Sequence, residues 1–227
     1  MFSYNEIFEM LYFKYKIGRF KLLIPAQFIF FTFLGLVELR AQETEKYFYD
    51  NGVLKSIKEK KANQSRVIYF YNNGDTSAIE HYKNGNLHGK VTYFYPENVL
   101  QGVESWADGL LEDTAVYYHE SGKIEKHGNY VSGAYHGPWI FYFDDGNIKK
   151  KGIYKMGLPD GHWLIYHENG KIAQNGYFKN GKESGLWKFF NKNGKLKYKG
   201  TYTEGRRNDD WVMINFIGKE VPVKFEE

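Results

Sequence analysis

The sequence predicts an all-β protein: an elongated antiparallel β-meander of about seven hairpin repeats of 22–24 residues, laid out as a twisted single-layer sheet, with a hydrophobic signal or anchor helix ahead of it. Three observations carry this prediction. Val67, Val91, Ala115, Trp139, Trp163, Trp187 and Trp211 follow one another at intervals of 24 residues, a fixed period of the kind that marks stacked repeats. Each period contains two turn signals. The runs between the turns are five to eight residues long and rich in aromatic and β-branched side chains, which suit strands. Composition agrees: among 227 residues there are 20 Tyr, 18 Phe and 24 Gly but 5 Pro.

The first 41 residues stand apart. Lys14, Lys16, Arg19 and Lys21 form a basic cluster, and Leu22 to Val37 then run uncharged for sixteen residues. A positive region followed by an apolar core and a small residue, Ala41, is the layout of a secretory signal, with an uncleaved anchor as the rival reading. Both place residues 45–227 outside the cytoplasm, as a periplasmic, outer-membrane-associated or secreted domain. The formal charge is +4, and beyond residue 41 the basic excess is only two, with no stripe of the kind that displaces counterions from a nucleic acid. No cysteine is present, which removes disulfides, cysteine metal sites and cysteine nucleophiles.

Within the repeats, the first turn signal is Asn73-Gly74, Ser121-Gly122, Asp145-Gly146, Asn169-Gly170 or Asn193-Gly194, pairs expected to form two-residue hairpin loops. The second follows eleven residues later, at Asn84-Gly85, Asp108-Gly109, Ser132-Gly133, Met156-Gly157, Asn180-Gly181 and Glu204-Gly205. Counting outward from Asn193-Gly194 sets Phe189 opposite Tyr198 and Trp187 opposite Gly200. The same count sets Trp163 opposite Gly176 and Trp139 opposite Gly152, so that each indole can lie over bare backbone. Val67 and Val91 instead face Glu80 and Glu104, and Ala115 opposite Gly128 is a mismatch. Alternation gathers Trp187, Phe189, Leu196, Tyr202 and their equivalents on a core face. The other face collects Phe70, Phe94, Tyr118, Tyr142, Tyr166 and Phe190 among Lys149, Lys151, Lys197 and Lys199. No helix is at hand to cover either face, so the Trp side is expected to curve inward or to take a partner.

The unit running from Asn169 to Trp187, NGKIAQNGYFKNGKESGLW, resembles the MORN repeat in its bacterial variant, and the resemblance covers residues 45 to 218. It implies an elongated sheet of hairpins used for protein interaction, membrane-associated scaffolding or contact with lipid headgroups. Trp139, Trp163, Trp187, Trp211, Gly146, Gly152, Gly170, Gly176, Gly194 and Gly200 are its structural repeat positions. The early copies depart from the pattern at Asn98, Glu80, Glu104 and Asp113, departures that weaken the case for regular pairing there.

Reaction chemistry is not legible. His88 and His136 share a register with Glu112, Asp160, Ser184 and Asn208, and His119 shares one with His167, which reads as a solvated polar edge rather than a metal set. Ser121 and Ser132 occupy loop positions with no histidine and acid in matching registers. The expectation is a non-enzymatic protein with no cofactor and no metal, whose partner is another protein. The alternative is an envelope glycan or lipid headgroup held by Tyr118, Tyr142, Tyr166 and Phe190, since exposed rings supply much of the binding energy at interfaces.

Overall fold

The computed structural model describes residues 42–223, and the expected signal or anchor segment, 1–41, lies outside them. Among the described residues, twenty strand segments form one antiparallel sheet in which each pairs with its neighbours along the chain. The return strand of each copy is eight residues long: Thr76–Lys83, Leu100–Ala107, Ile124–Val131, Ile148–Lys155, Ile172–Lys179 and Leu196–Thr203. Pairing continues unbroken through the early copies despite their departures from the repeat pattern. Asn98 takes the left-handed conformation expected of a glycine, with φ of 57°, and Asp113 does the same at 63°.

The two turns of each copy differ physically. At the second, from Asn84-Gly85 onward, both loop residues have positive φ, as at Asn180 (50°) and Gly181 (83°), and Lys179 faces Lys182 across a two-residue loop. At the first, only the glycine does, except where Glu97 (64°) and Asn98 (57°) take its place. Asn191 N donates to Lys195 O, Gly194 N returns a bond to Asn191 O, and the Asn191 side chain accepts from Asn193 N. This wider loop corrects the two-residue loop expected at Asn193-Gly194. It closes on the pair Phe190↔Leu196, and one extra residue next to Leu196 then restores the expected register at Phe189↔Tyr198 and Trp187↔Gly200. Leu196 consequently stands on the Phe190 face rather than on the Trp face predicted for it.

A second irregularity explains the repeat length. Between Leu54–Lys61 and Gln64–Phe70 the register runs unbroken, from Lys61↔Gln64 to Ser56↔Tyr69. Between Ile124–Val131 and Ala134–Tyr142 it jumps by two, from Asn129↔His136 to Gly128↔Trp139. The first copy, at 22 residues, lacks this bulge; the 24-residue copies carry it. Its turning residue has positive φ: Gly89, Asp113, Gly137, Gly161 or Gly185.

The bulge positions the indoles. Trp139 pairs with Gly152 in its own hairpin, as the sequence predicts, but it also pairs with Gly128 on its other side, and there its ring lies. A Cβ placed on Gly128 would stand 2.3 Å from Trp139 Cδ2; the same distance is 2.2 Å for Gly152 and Trp163, 2.1 Å for Gly176 and Trp187, and 2.4 Å for Gly200 and Trp211. The ring therefore covers the glycine of the preceding copy, one repeat away from the partner predicted for it. With this offset the apparent mismatch of Ala115 with Gly128 disappears. The register of Gly102↔Tyr117 and Val103↔Val116 carries Glu104 opposite Ala115, so a small residue meets a glutamate and a tryptophan meets a glycine. Each indole N–H also donates to the carbonyl just after its glycine: Asn129, Ile153, Tyr177 and Thr201, at 2.9 to 3.1 Å.

Among the described residues no second layer covers this face, and the substantial contacts join segments close along the chain. Trp139, Trp163, Trp187 and Trp211 are nevertheless buried, because neighbouring rings tile over them. Burial of the indoles thus comes from rings within the sheet itself. Each buried indole removes on the order of 200 Å2 from water, about 5 kcal/mol at the usual coefficient. Gly176→Ala is expected to destabilise the sheet by about 3 kcal/mol through overpacking. In a Trp187→Val background the same change will cost under about 1 kcal/mol, a coupling that urea denaturation of the four variants measures.

Candidate functional site

On the Trp face the early copies replace ring-on-glycine packing with a buried polar chain. Glu104 is 8% exposed and accepts from Tyr117 Oη at 2.6 Å and from Trp106 Nε1 at 3.0 Å. Tyr117 and Tyr130 share a hydroxyl contact at 3.1 Å, and one repeat earlier Tyr82 donates to Glu80. Lys126 Nζ lies 4.5 Å from the Tyr117 ring centroid. Burial, reinforced by Glu104, holds the Tyr117 phenol far above its ordinary range, and burial with Glu80 does the same to Tyr82. Tyr69, Tyr93, Tyr130 and Tyr154 are raised as well, burial being the first cause in each.

These phenols keep their protons longer in the folded than in the unfolded chain. Their contribution is therefore complete below about pH 10 and is lost as pH rises beyond it. Absorbance titration at 295 nm is expected to show a late group of tyrosines ionising together with unfolding, and urea melts will show stability holding up to about pH 10 and falling above it.

The opposite face carries the column proposed from sequence. Tyr118, Tyr142, Tyr166 and Phe190 are each half-buried, and each pairs with an aliphatic residue across the hairpin: Ile124, Ile148, Ile172 and Leu196. Tyr142 stacks on His127 with ring centroids 5.9 Å apart, its hydroxyl 3.1 Å from Nε2. The backbone carbonyls of this column are also engaged. Tyr49, Tyr71 and Tyr95 donate their hydroxyls to the carbonyls of Phe70, Phe94 and Tyr118, and the Nε2 of His119 and His167 reach those of Tyr142 and Phe190. The shared register of His119 and His167 thus marks a ladder of side chains pinning one copy to the next.

His88 and His136 occupy bulge positions in separate copies. Their acidic counterparts tie bulges to turns: Glu112 accepts from Ser132 N and Asp160 from Asn180 N, while His88 Nδ1 lies 3.6 Å from Asp108. Among the described residues no group of three or more His, Asp or Glu side chains is placed to hold a metal ion. Gly146, Gly170 and Gly194 sit at first turns with φ of 94°, 78° and 82°.

Sequence reasoning missed a row of exposed residues on this same face. Ile153 (44% exposed), Tyr177 (51%) and Leu186 (45%) follow one another on successive hairpins, with Pro138 directly opposite Ile153 and His162 opposite Tyr177. The His162 and Tyr177 rings are 4.9 Å apart, and His162 Nε2 binds Asn175 Oδ1 at 2.7 Å. The available signal was positional: each follows a strand glycine or precedes a tryptophan, so alternation turns it away from the buried rings.

An open ladder of hairpins locked by ring-on-glycine contacts defines a repeat scaffold. The family model described as the MORN repeat variant matches five times, at residues 44–59, 114–132, 135–156, 159–180 and 183–204, and the chain belongs to that repeat family. No curated protein matches it. Among solved structures, the chain is similar to the GtfA/B complex (18% identity, TM-score 0.30, 48% of this chain and 21% of that one) and to TarM (13% identity, TM-score 0.24, 68% and 27%). A point mutant of S. aureus TarM in complex with Fondaparinux, alpha-GlcNAc-glycerol and UDP matches at 13% identity and a TM-score of 0.24, over 67% of this chain and 30% of that one. The chain thus spans between about a fifth and a third of the lengths of these proteins.

Proposed function

We propose that this protein is a non-enzymatic, exported scaffold that binds another protein through the exposed row on the face opposite its tryptophans. The observation that carries this reading is the alignment of Pro138, Ile153, His162, Tyr177 and Leu186 across three successive hairpins, where these side chains take no part in the ring-on-glycine packing or in the carbonyl ladder beside them. Lys151 and Lys188 stand on the same face by register, each within two residues of the row. The partner that fits is an apolar protein surface rimmed by carboxylates. Export is supported by the basic cluster from Lys14 to Lys21 and the uncharged run behind it.

The test is affinity capture from the protein's own cells with both proteins and glycans analysed, comparing wild type with Tyr177→Ala/Leu186→Asp and with Leu110→Asp, a control residue exposed elsewhere. One protein retained by wild type and by the control, and lost from the double variant, is the expected result. Equal retention by all three, or capture of glycan alone, overturns the reading.

A further inference from the structure

A second feature lies at the other end of the ladder, within residues 60–113, which the family model passes over. There a groove of about 420 Å3 is lined by Lys60, Lys61, Arg66, Lys83 and Lys90, with His81 and His88 beside them. Register explains the convergence. Glu59 faces Arg66 and Arg66 faces His81, and the register of Ala78↔Tyr93 carries Lys90 opposite His81. One step towards the turns, Lys61 faces Gln64 and Gln64 faces Lys83. Two rows of side chains from four adjacent strands, about 14 Å across, therefore share one face.

The charges in this groove are unbalanced. Its one carboxylate, Glu59, is held by Arg66 at 3.4 Å. Among the described residues no carboxylate stands within ion-pair distance of Lys60, Lys61, Lys83 or Lys90, whereas Lys182 and Lys199 elsewhere have Glu204 and Glu220. His81 Nδ1 donates to the Lys90 carbonyl at 2.7 Å, which fixes its ring in the row it shares with Arg66 and Lys90. Like charges gathered along a concave wall raise the local potential and attract a counter-ion. The Arg66 fork and the neighbouring ammonium groups together offer more donors than a single carboxylate can accept.

We propose that this groove binds a phosphate-type dianion, free or as a phosphomonoester. A tetrahedral dianion presents several acceptor oxygens at once, so the arginine can engage two while the lysines neutralise the rest. The proposal is independent of the protein-binding row, which lies on later hairpins and uses none of these residues.

The intact chain is titrated with inorganic phosphate, with phenyl phosphate, and with phosphatidylcholine vesicles containing phosphatidic acid, at about 0.15 M salt to suppress non-specific attraction. Saturable binding to at least one probe is expected, weakened about tenfold or more in Arg66→Gln and in Lys83→Gln and unchanged in Lys149→Gln. Arg66→Lys will fall between, because it keeps the charge and loses the fork. Thermal melts of each variant separate lost binding from lost folding. Binding to vesicles without binding to the soluble probes assigns the phosphate to a lipid headgroup, and the converse assigns it to a soluble ligand. Absence of saturable binding to all three probes, or equal weakening in Lys149→Gln, overturns the proposal.

Discussion

The contact on which the later copies depend is an indole laid flat on a glycine one strand away. It works in both directions. The glycine lets the ring approach to a distance at which any side chain would collide with it, and the ring shields that stretch of backbone from water. The indole N–H then binds the next carbonyl, so the largest apolar side chain of each copy buries its one polar atom without an orphan. Because ring and glycine belong to consecutive copies, the contact bonds one repeat to the next, and stability accumulates along the chain as a sum of such interfaces.

This arrangement explains how a single-layer sheet keeps an aromatic face in water. Between successive indoles stands another ring, edge-on: Tyr154 meets Trp163 at 5.0 Å and 84°, and Phe178 meets Trp187 at 5.1 Å and 89°. Edge-to-face contacts of this sort satisfy the ring quadrupoles and close the gaps through which water would reach the indoles. The lysines contribute by the same logic. Lys150 Nζ lies 4.4 Å from the Phe141 centroid, its stem laid along the rings, and burial followed by the nearby Lys149 and Lys126 lowers its pKa.

Much of this was legible in the sequence. The 24-residue period, the second turns and the pairs Trp187↔Gly200, Trp163↔Gly176 and Trp139↔Gly152 follow from spacing alone. The ring's true glycine did not, because an inner strand has two neighbours and a count within one hairpin sees only one of them. The bulges were equally hidden. At the first turn, a wider loop and a compensating extra residue leave the distant register unchanged, so the two-residue count succeeds at Phe189 and fails at Leu196. The exposed row and the basic groove depend on which residues become neighbours across three or four strands, information that no single copy contains.

The division of the chain follows from the same contact. Where tryptophan and glycine hold their places, both columns beside them are committed to packing, and variation is left to positions such as Ile153 and Tyr177 that alternate away from the rings. In the early copies, up to Ala115, the pair is replaced by Val91 with Glu80 and by Ala115 with Glu104, and the volume is filled by tyrosines hydrogen-bonded to the carboxylates of Glu80 and Glu104. That solution keeps the strands paired without the repeat's sequence constraint. The strand positions behind it are thereby freed to carry Arg66, His81, Lys83 and Lys90, a concentration of charge that a strictly repeated hairpin would have multiplied along the whole ladder, at a cost in repulsion that grows with every copy.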